Sequence, residues 1–261
     1  MYSLFYIPFL YMRNTRLLKQ GRLLSFIIIL ILPPIYITTF VQSDFTLANL
    51  IKSIIGLIII QNLYEFGYIQ NDAETIKKEI NPTMRLSTQQ LNYYKFNYLW
   101  IYLSRLILSI VLSSILIFIS GFKTETLFFL SIAHLLIPIY LIYNNIRNMW
   151  NLFLHFILTT IKFTAIQFLF LEKFDWLLFV CSLFAFPVIN LIERAANDRF
   201  FPLLAKKYDI TFGRFVYYIT LLILLTPLLF LHIVSWKLIL VFLYYFIYRT
   251  LILIKAIIKL F

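Results

Sequence analysis

Long apolar runs separated by short polar segments recur along the whole chain. About 20 apolar residues in a helix are enough to cross the hydrocarbon core of a bilayer. The runs predict an all-α, polytopic membrane bundle of about eight transmembrane helices, which we call the first to eighth spans. Their predicted bounds are about 22–42, 47–68, 96–120, 126–144, 150–171, 175–192, 213–233 and 237–258.

The connections after the second and sixth spans are long, whereas the other five are short. This pattern predicts one membrane domain over 1–261, built as two pseudo-repeated four-helix halves at 22–144 and 150–258. Residues 1–21, which precede the first apolar run and contain several basic side chains, are predicted to form an interfacial helix.

Composition supports the membrane interpretation. Hydrophobic residues make up 62% of the chain and charged residues 13%, against about 45–50% and about 25% in soluble domains. The formal charge of +12 does not indicate nucleic-acid binding, because the basic residues are spread between spans. Cys181 is the only cysteine, which excludes a disulfide framework and a thiolate zinc cluster.

Basic residues fix the predicted orientation. If the N-terminus is cytoplasmic, that side receives Arg13, Arg16, Lys19, Arg22, Lys77, Lys78, Arg85, Lys95, Arg147, Arg194, Arg199, Lys206, Lys207, Arg214, Arg249, Lys255 and Lys259. The opposite side receives Lys52, Lys123, Lys173 and Lys237. The positive-inside rule therefore predicts a multi-pass protein of the cell membrane with both termini and both long loops in the cytoplasm.

Most of the acidic residues are concentrated in the two long loops, which topology does not require. The first group is Glu65, Asp72, Glu74 and Glu79, and the second is Glu193, Asp198 and Asp209. If the second span continues as a helix, Glu65, Asp72 and Glu79 share one face with Tyr68 and Thr75. Stacked carboxylates favour a bound cation such as Mg²⁺, but a solvated face with Glu74–Lys78 pairs explains the spacing equally well.

The second loop is a weaker copy of the first. Asn190, Glu193 and Asn197 are predicted to share a helical face. Arg194 and Arg199 can instead pair with Glu193 and Asp198, so a purely structural role stays open for this loop.

The first loop resembles a signature of the UbiA-type intramembrane prenyltransferase superfamily. That family carries Asn-Asp-x-x-Asp-x-x-x-Asp after helix two, and Asn71, Asp72 and Glu79 match it, with Thr75 at the middle acid. An Arg-Pro segment usually follows, and here Leu86 comes after Arg85.

The resemblance extends to the second loop, where the family has another Asp-rich motif. Glu193 takes the place of its first acid, Asn197 stands at the next acid, and Asp198 is one position out of register. The family usually has nine helices, against the eight predicted here.

The resemblance implies a helical bundle around a central cavity in which both loops hold Mg²⁺ against the diphosphate of an isoprenoid donor. The implied enzyme transfers a prenyl or polyprenyl group to a lipid or small-molecule acceptor. It implies Asp72, Glu79 and Glu193 as catalytic residues. The implied metal ligands are Asn71, Asp72, Glu79, Glu193, Asn197 and Asp198, and the implied diphosphate-binding residues are Arg85, Lys95, Arg147 and Arg194.

Polar residues near or within the spans are further candidates for the cavity: Glu65, Tyr68, Arg105, His155, Lys162 and Asn190. Arg105 and Lys162 are predicted deep in their spans with no carboxylate at similar depth. Because a buried charge costs at least about 2.5–3.5 kcal/mol, each is expected to face a wet cavity or an anionic ligand, or to bond to polar and carbonyl groups in the bundle.

Three other functions fit parts of the pattern. A second branch of the superfamily transfers phosphoribose to a polyprenyl phosphate. A membrane subunit of an ATP-driven exporter would also be small, polytopic and basic at its N-terminus, but has no need of Asn71, Asp72 and Glu79 on one face. A degenerate family member acting as a scaffold is compatible with Thr75 and Asn197.

Overall fold

The computed structural model describes residues 2–19, 21–78 and 82–258. The protein is 83% helical, and the described residues contain no strand. Eight helices in that part are long and apolar enough to span a membrane: Arg22–Gln42, Leu47–Ala73, Thr88–Ser120, Thr124–Asn145, Trp150–Lys173, Trp176–Ala195, Ile210–Phe230 and Trp236–Ile258. The prediction of an all-α, multi-pass membrane bundle is confirmed.

Polar caps start several spans. The side chain of Thr46 accepts a hydrogen bond from the Asn49 N–H, and Ser87 forms a reciprocal capping box with Gln90. The Asp209 side chain caps the seventh span by accepting a hydrogen bond from the Phe212 N–H. Each cap satisfies backbone N–H groups that have no partner within the helix.

Helix extension shortens both long loops relative to the prediction. The second span continues to Ala73 and the third begins at Thr88, so the first loop is residues 74–87, with a 3₁₀ turn at Thr75–Lys78. The second loop is residues 196–209 and contains the helix Pro202–Lys207. The apolar runs predict these helices too short, because the turns at the helix ends that face the two loops contain polar residues.

Two apolar clusters form the bundle core. Leu63, Phe129, Leu136 and Leu158 belong to a cluster built by the second to fifth spans. The other is built mainly by the first and the sixth to eighth spans, and includes Ile37, Leu178, Tyr218 and Phe242. The first span therefore packs with the last three, and the proposed repeat of two four-helix halves stays a prediction.

The N-terminal segment, residues 2–19, packs inside the protein. It forms a 3₁₀ turn at Ser3–Phe5 and a helix at Leu10–Arg16 instead of the single helix predicted over 1–21. Phe5 and Tyr11 are fully buried, in an apolar cluster with Ile69 of the second span and Ile101 of the third. This insertion brings the segment against the polar face of the second span.

Candidate functional site

Asp72 lies in the last turn of the second span and is the centre of the site. Its Oδ2 accepts hydrogen bonds from the Tyr11 hydroxyl at 3.0 Å and from Arg16 Nη1 at 2.8 Å. Its Oδ1 accepts from Arg16 Nη2 and from Arg85 Nη1, each at 3.1 Å. We call Tyr11, Arg16, Asp72 and Arg85 the Asp72 cluster.

The Asp72 cluster carries one negative and two positive charges. The Asp72 side chain is completely buried, but those of Arg16 and Arg85 keep 19% and 29% of their surface exposed. Burial, reinforced by the negative charge of Asp72, raises the pKa of Tyr11 well above its ordinary value, so this hydroxyl stays a donor. The excess positive charge on partly exposed guanidinium groups makes the cluster a candidate anion site.

Asn71 and Thr75 flank the cluster. The Asn71 amide donates to Asp72 Oδ1 at 3.3 Å, and the Thr75 hydroxyl donates to the Asn71 side-chain oxygen at 3.2 Å. The helix ends at Ala73, before the predicted third acid of the face, and Glu79 lies outside the described residues. Glu74 turns aside to accept hydrogen bonds from Tyr94 and Tyr102.

Glu65 corrects one prediction about the buried charges. It lies within the second span, is fully buried, and pairs with Arg105 at 2.9 Å, so a carboxylate does lie at the depth of Arg105. The Met12 backbone N–H donates to its other oxygen at 2.9 Å. Glu65 is only three residues before the predicted end of the second span at residue 68, so the sequence groups it with the loop carboxylates.

Arg105 also holds the N-terminal segment in place. Its Nε donates to the Phe5 carbonyl at 2.8 Å, and its Nη2 donates to the Leu4 carbonyl at 3.2 Å. Backbone carbonyls and Glu65 therefore satisfy this guanidinium, and it is a structural group that needs no ligand.

Tyr68 and Lys162 continue the site into the bundle. The Arg16 guanidinium carbon lies 3.7 Å from the Tyr68 ring centroid, and the Lys162 ammonium lies 4.0 Å from the centroid of Tyr64. Both are cation–π distances. Lys162 thus faces the interior of the bundle with aromatic faces as its neighbours, and its place in a cavity stays a prediction.

Of the three second-loop residues predicted to share a helical face, Asn190 and Glu193 are three residues apart in the helix Pro187–Ala195, and Asn197 lies outside that helix. Glu193 forms a two-point ion pair with Arg214 of the seventh span, whereas the Asn190 side-chain oxygen accepts a hydrogen bond from His155 Nε2 of the fifth span at 2.7 Å. Asn197 lies beyond the helix end at Ala195 and accepts the Arg199 N–H. The helix Pro187–Ala195 ends two residues before Asn197, so it is too short to place Asn197 on that face.

Arg147, in the connection after the fourth span, links the two long loops. Its Nη2 donates to the Thr75 carbonyl at 3.2 Å, and its own carbonyl accepts from Arg199. Lys78 of the first loop also donates to Asn145 at 2.8 Å. The two loops therefore lie at the same end of the bundle and meet around Arg147.

The remaining predicted residues are less closely connected to this site. Arg194 donates to the Tyr143 hydroxyl at 3.3 Å, and its Nε is buried without a hydrogen-bond partner among the described residues. Lys95 and Asp198 are exposed, and neither makes a hydrogen bond or ion pair with any residue that the structure describes.

No protein-family model, curated protein or solved structure matches the chain at significance. Membership of the UbiA-type superfamily therefore stays a prediction that depends on the residues of the two loops.

The carboxylates of the described residues do not form a ready Mg²⁺ site. Both oxygens of Asp72 are held by arginines, Glu193 is held by Arg214, and no group of three His, Cys, Asp or Glu side chains in the described ranges could hold a metal. The Mg²⁺ requirement stays a prediction, and the described residues offer arginines as the groups for binding a phosphate.

Sequence reasoning did not identify Tyr11, Arg16, Arg214 and Arg249 as site residues. Arg16, Arg214 and Arg249 were counted only as charges that orient the chain, and Tyr11 lay in a segment predicted to be interfacial. The position of one residue in the sequence does not predict such contacts, because the partners are far apart along the chain. Arg16 of the N-terminal segment, for example, donates a hydrogen bond to Asp72 of the second span.

Proposed function

We propose that this protein is an intramembrane transferase that moves a prenyl or polyprenyl group from a diphosphate donor to a lipid or small-molecule acceptor. The observation that carries the proposal is the meeting of the two long loops around Arg147, next to the cationic Asp72 cluster. The resemblance of Asn71 and Asp72 to the family motif gives the reaction class.

Arginines are well suited to the first step, which is binding the diphosphate. A guanidinium presents paired N–H donors that match phosphate oxygens. Arg16 and Arg85 are partly exposed and are oriented by Asp72, while Arg147 and Arg194 lie toward the second loop. The isoprenoid tail would lie among the apolar spans, because transfer into water is unfavourable for it.

The transfer step breaks the bond between the prenyl carbon and the diphosphate oxygen. The electron pair leaves with the diphosphate, where the arginines stabilise the developing charge, and a bond forms between the prenyl carbon and the acceptor, which loses a proton. Exclusion of water by the bundle protects the electron-poor carbon. We assign diphosphate binding to the arginines. The requirement for Mg²⁺ is tested by the assay.

The test is turnover by purified protein in nanodiscs. Geranylgeranyl diphosphate and a lipid extract would be supplied with and without Mg²⁺, and prenylated lipid and released diphosphate would be measured by mass spectrometry. The proposal expects product with wild-type protein and with Arg13→Gln, an exposed residue of the N-terminal helix, and a large loss with Arg85→Gln. Absence of donor consumption and of donor binding, together with co-purification of an ATPase, would support the exporter instead.

A further inference from the structure

Arg249 of the eighth span is a buried cation whose guanidinium carbon lies 5.3 Å from the Tyr248 ring centroid. Only 5% of its surface is exposed, and it makes no hydrogen bond or ion pair with any residue in the described ranges. Its Nε is fully enclosed. Burying an unpaired charge is costly, so a group that completes this site is expected.

Helix packing places Arg249 beside Arg214. The rings of Tyr218 and Tyr245 stack with centroids 5.0 Å apart, joining the seventh and eighth spans. These spans run in opposite directions across a short connection, residues 231–235. One turn before Tyr218 is Arg214, and one turn after Tyr245 is Arg249, so both arginines lie toward the same end of the bundle.

Glu193 neutralises only one of the two arginines. Both of its oxygens are engaged by Arg214, so Arg249 makes no direct ion pair with Glu193. Asp209, at the start of the seventh span, is exposed and accepts the Phe212 N–H as a helix cap.

Tyr208 supplies a second polar group without a partner. Its hydroxyl oxygen is buried and makes no hydrogen bond among the described residues. Gly213 permits this placement, because a Cβ there would lie 2.6 Å from Tyr208 Cζ. We call Glu193, Tyr208, Arg214 and Arg249 the Glu193 cluster.

We propose that the Glu193 cluster binds a phosphate group, with Arg249 as its main donor and the Tyr208 hydroxyl as a second. The Arg249 guanidinium and the Tyr208 hydroxyl, which make no hydrogen bond in the part of the chain that the structure describes, fit a tetrahedral oxyanion. The net charge of +1 matches the single negative charge of a phosphodiester. The site uses no residue of the Asp72 cluster and stands independently of the transferase proposal.

The test compares wild-type protein with Arg249→Gln after removal of lipid and transfer to phosphate-free buffer. Binding would be measured as a shift of the unfolding midpoint, in one arm with inorganic phosphate and in the other with phosphatidylglycerol, with diacylglycerol as the uncharged comparison. Lys255→Gln is the matched control, since Lys255 is an exposed cation of the same helix.

We expect wild-type protein and Lys255→Gln to bind one probe, and Arg249→Gln to bind it about tenfold or more weakly, the effect of losing a charge-assisted hydrogen bond. A response to phosphatidylglycerol alone identifies a lipid headgroup, and a response to inorganic phosphate identifies a soluble anion. Without either probe, Arg249→Gln should be at least as stable as wild type, because it removes an unpaired charge.

Three results would overturn the proposal. They are the absence of binding of either probe to wild-type protein, equal binding by wild type and Arg249→Gln, and a clear loss of stability in probe-free Arg249→Gln. If that variant does not fold, Tyr208→Phe decides the question: weaker binding at unchanged stability supports the site, and unchanged binding contradicts it.

Discussion

The Asp72 cluster and the Glu193 cluster have the same charges but different bonding. Each has one carboxylate and two arginines. Asp72 is hydrogen-bonded to both of its arginines and to a tyrosine. Glu193 is bonded to Arg214, and within the described ranges neither Arg249 nor the Tyr208 hydroxyl makes a hydrogen bond. The surplus charge is shared in the first cluster and localised in the second.

The origin of the arginines explains this difference. Arg16 comes from the N-terminal segment and Arg85 from the first loop, and both approach Asp72 from the end of the bundle. Arg249 is instead fixed within a helix, one turn beyond a tyrosine stack. A side chain on a loop can turn to its partner, whereas a buried helical residue keeps the position set by helix packing.

Removing the carboxylate of the first cluster should have the largest effect. Asp72→Ala leaves two arginines without their shared acceptor, and we expect it to lower the free energy of unfolding by about 3 kcal/mol, the low end for broken buried pairs because both arginines keep some access to water. Denaturant titration in mixed micelles measures this. Asp198→Ala, at an exposed carboxylate, is the control, and an equal change in both variants would contradict the expectation.

Removing the carboxylate of the second cluster should cost about 2 kcal/mol, below the range for fully buried pairs, because the Glu193 and Arg214 side chains keep 11% and 28% of their surface exposed. Glu193→Gln leaves Arg214 and Arg249 side by side without a counter-charge. Adding Arg249→Gln relieves their repulsion, so the double variant should be more stable than Glu193→Gln alone. Additive changes in the double-mutant cycle would show that Arg249 does not interact with the pair.

Removing one arginine from the first cluster should have a smaller effect. Arg16→Gln loses a two-point contact with Asp72 and should cost about 1.5 kcal/mol, more than Arg85→Gln, which loses a single hydrogen bond. Unfolding midpoints measure both variants. Arg13→Gln should leave the stability unchanged. If Arg13→Gln lost as much stability as Arg16→Gln, the loss would reflect a general effect of charge and not the contact with Asp72.

The tyrosines should give the smallest effects and a clear contrast between the clusters. Tyr11→Phe removes a buried hydrogen bond to Asp72 and should cost about 1 kcal/mol. Tyr208→Phe removes a hydroxyl that bonds to no described residue and should leave the stability of the ligand-free protein unchanged. The same unfolding titration measures both variants. A larger loss of stability from Tyr208→Phe than from Tyr11→Phe would contradict the assignment of the Tyr208 hydroxyl as the unbonded group.

The sequence was sufficient for the spans and for part of the site. Apolar runs locate all eight helices, because bilayer thickness fixes their length. They do not locate helix ends such as Ala73, where polar residues continue the helix. The motif at Asn71 and Asp72 identifies the end of the second span as a candidate site, but the ion pairs of Glu65, Asp72 and Glu193 depend on packing between distant spans, which periodicity along one helix does not encode.

The most direct test of the transferase account is an experimental structure with a non-hydrolysable prenyl thiodiphosphate. The account predicts diphosphate density between residues 74–87 and 196–209, with Arg85 and Arg16 within hydrogen-bond distance of its oxygens. Density bound elsewhere, with the Arg16–Asp72 and Arg85–Asp72 contacts unchanged, would contradict it.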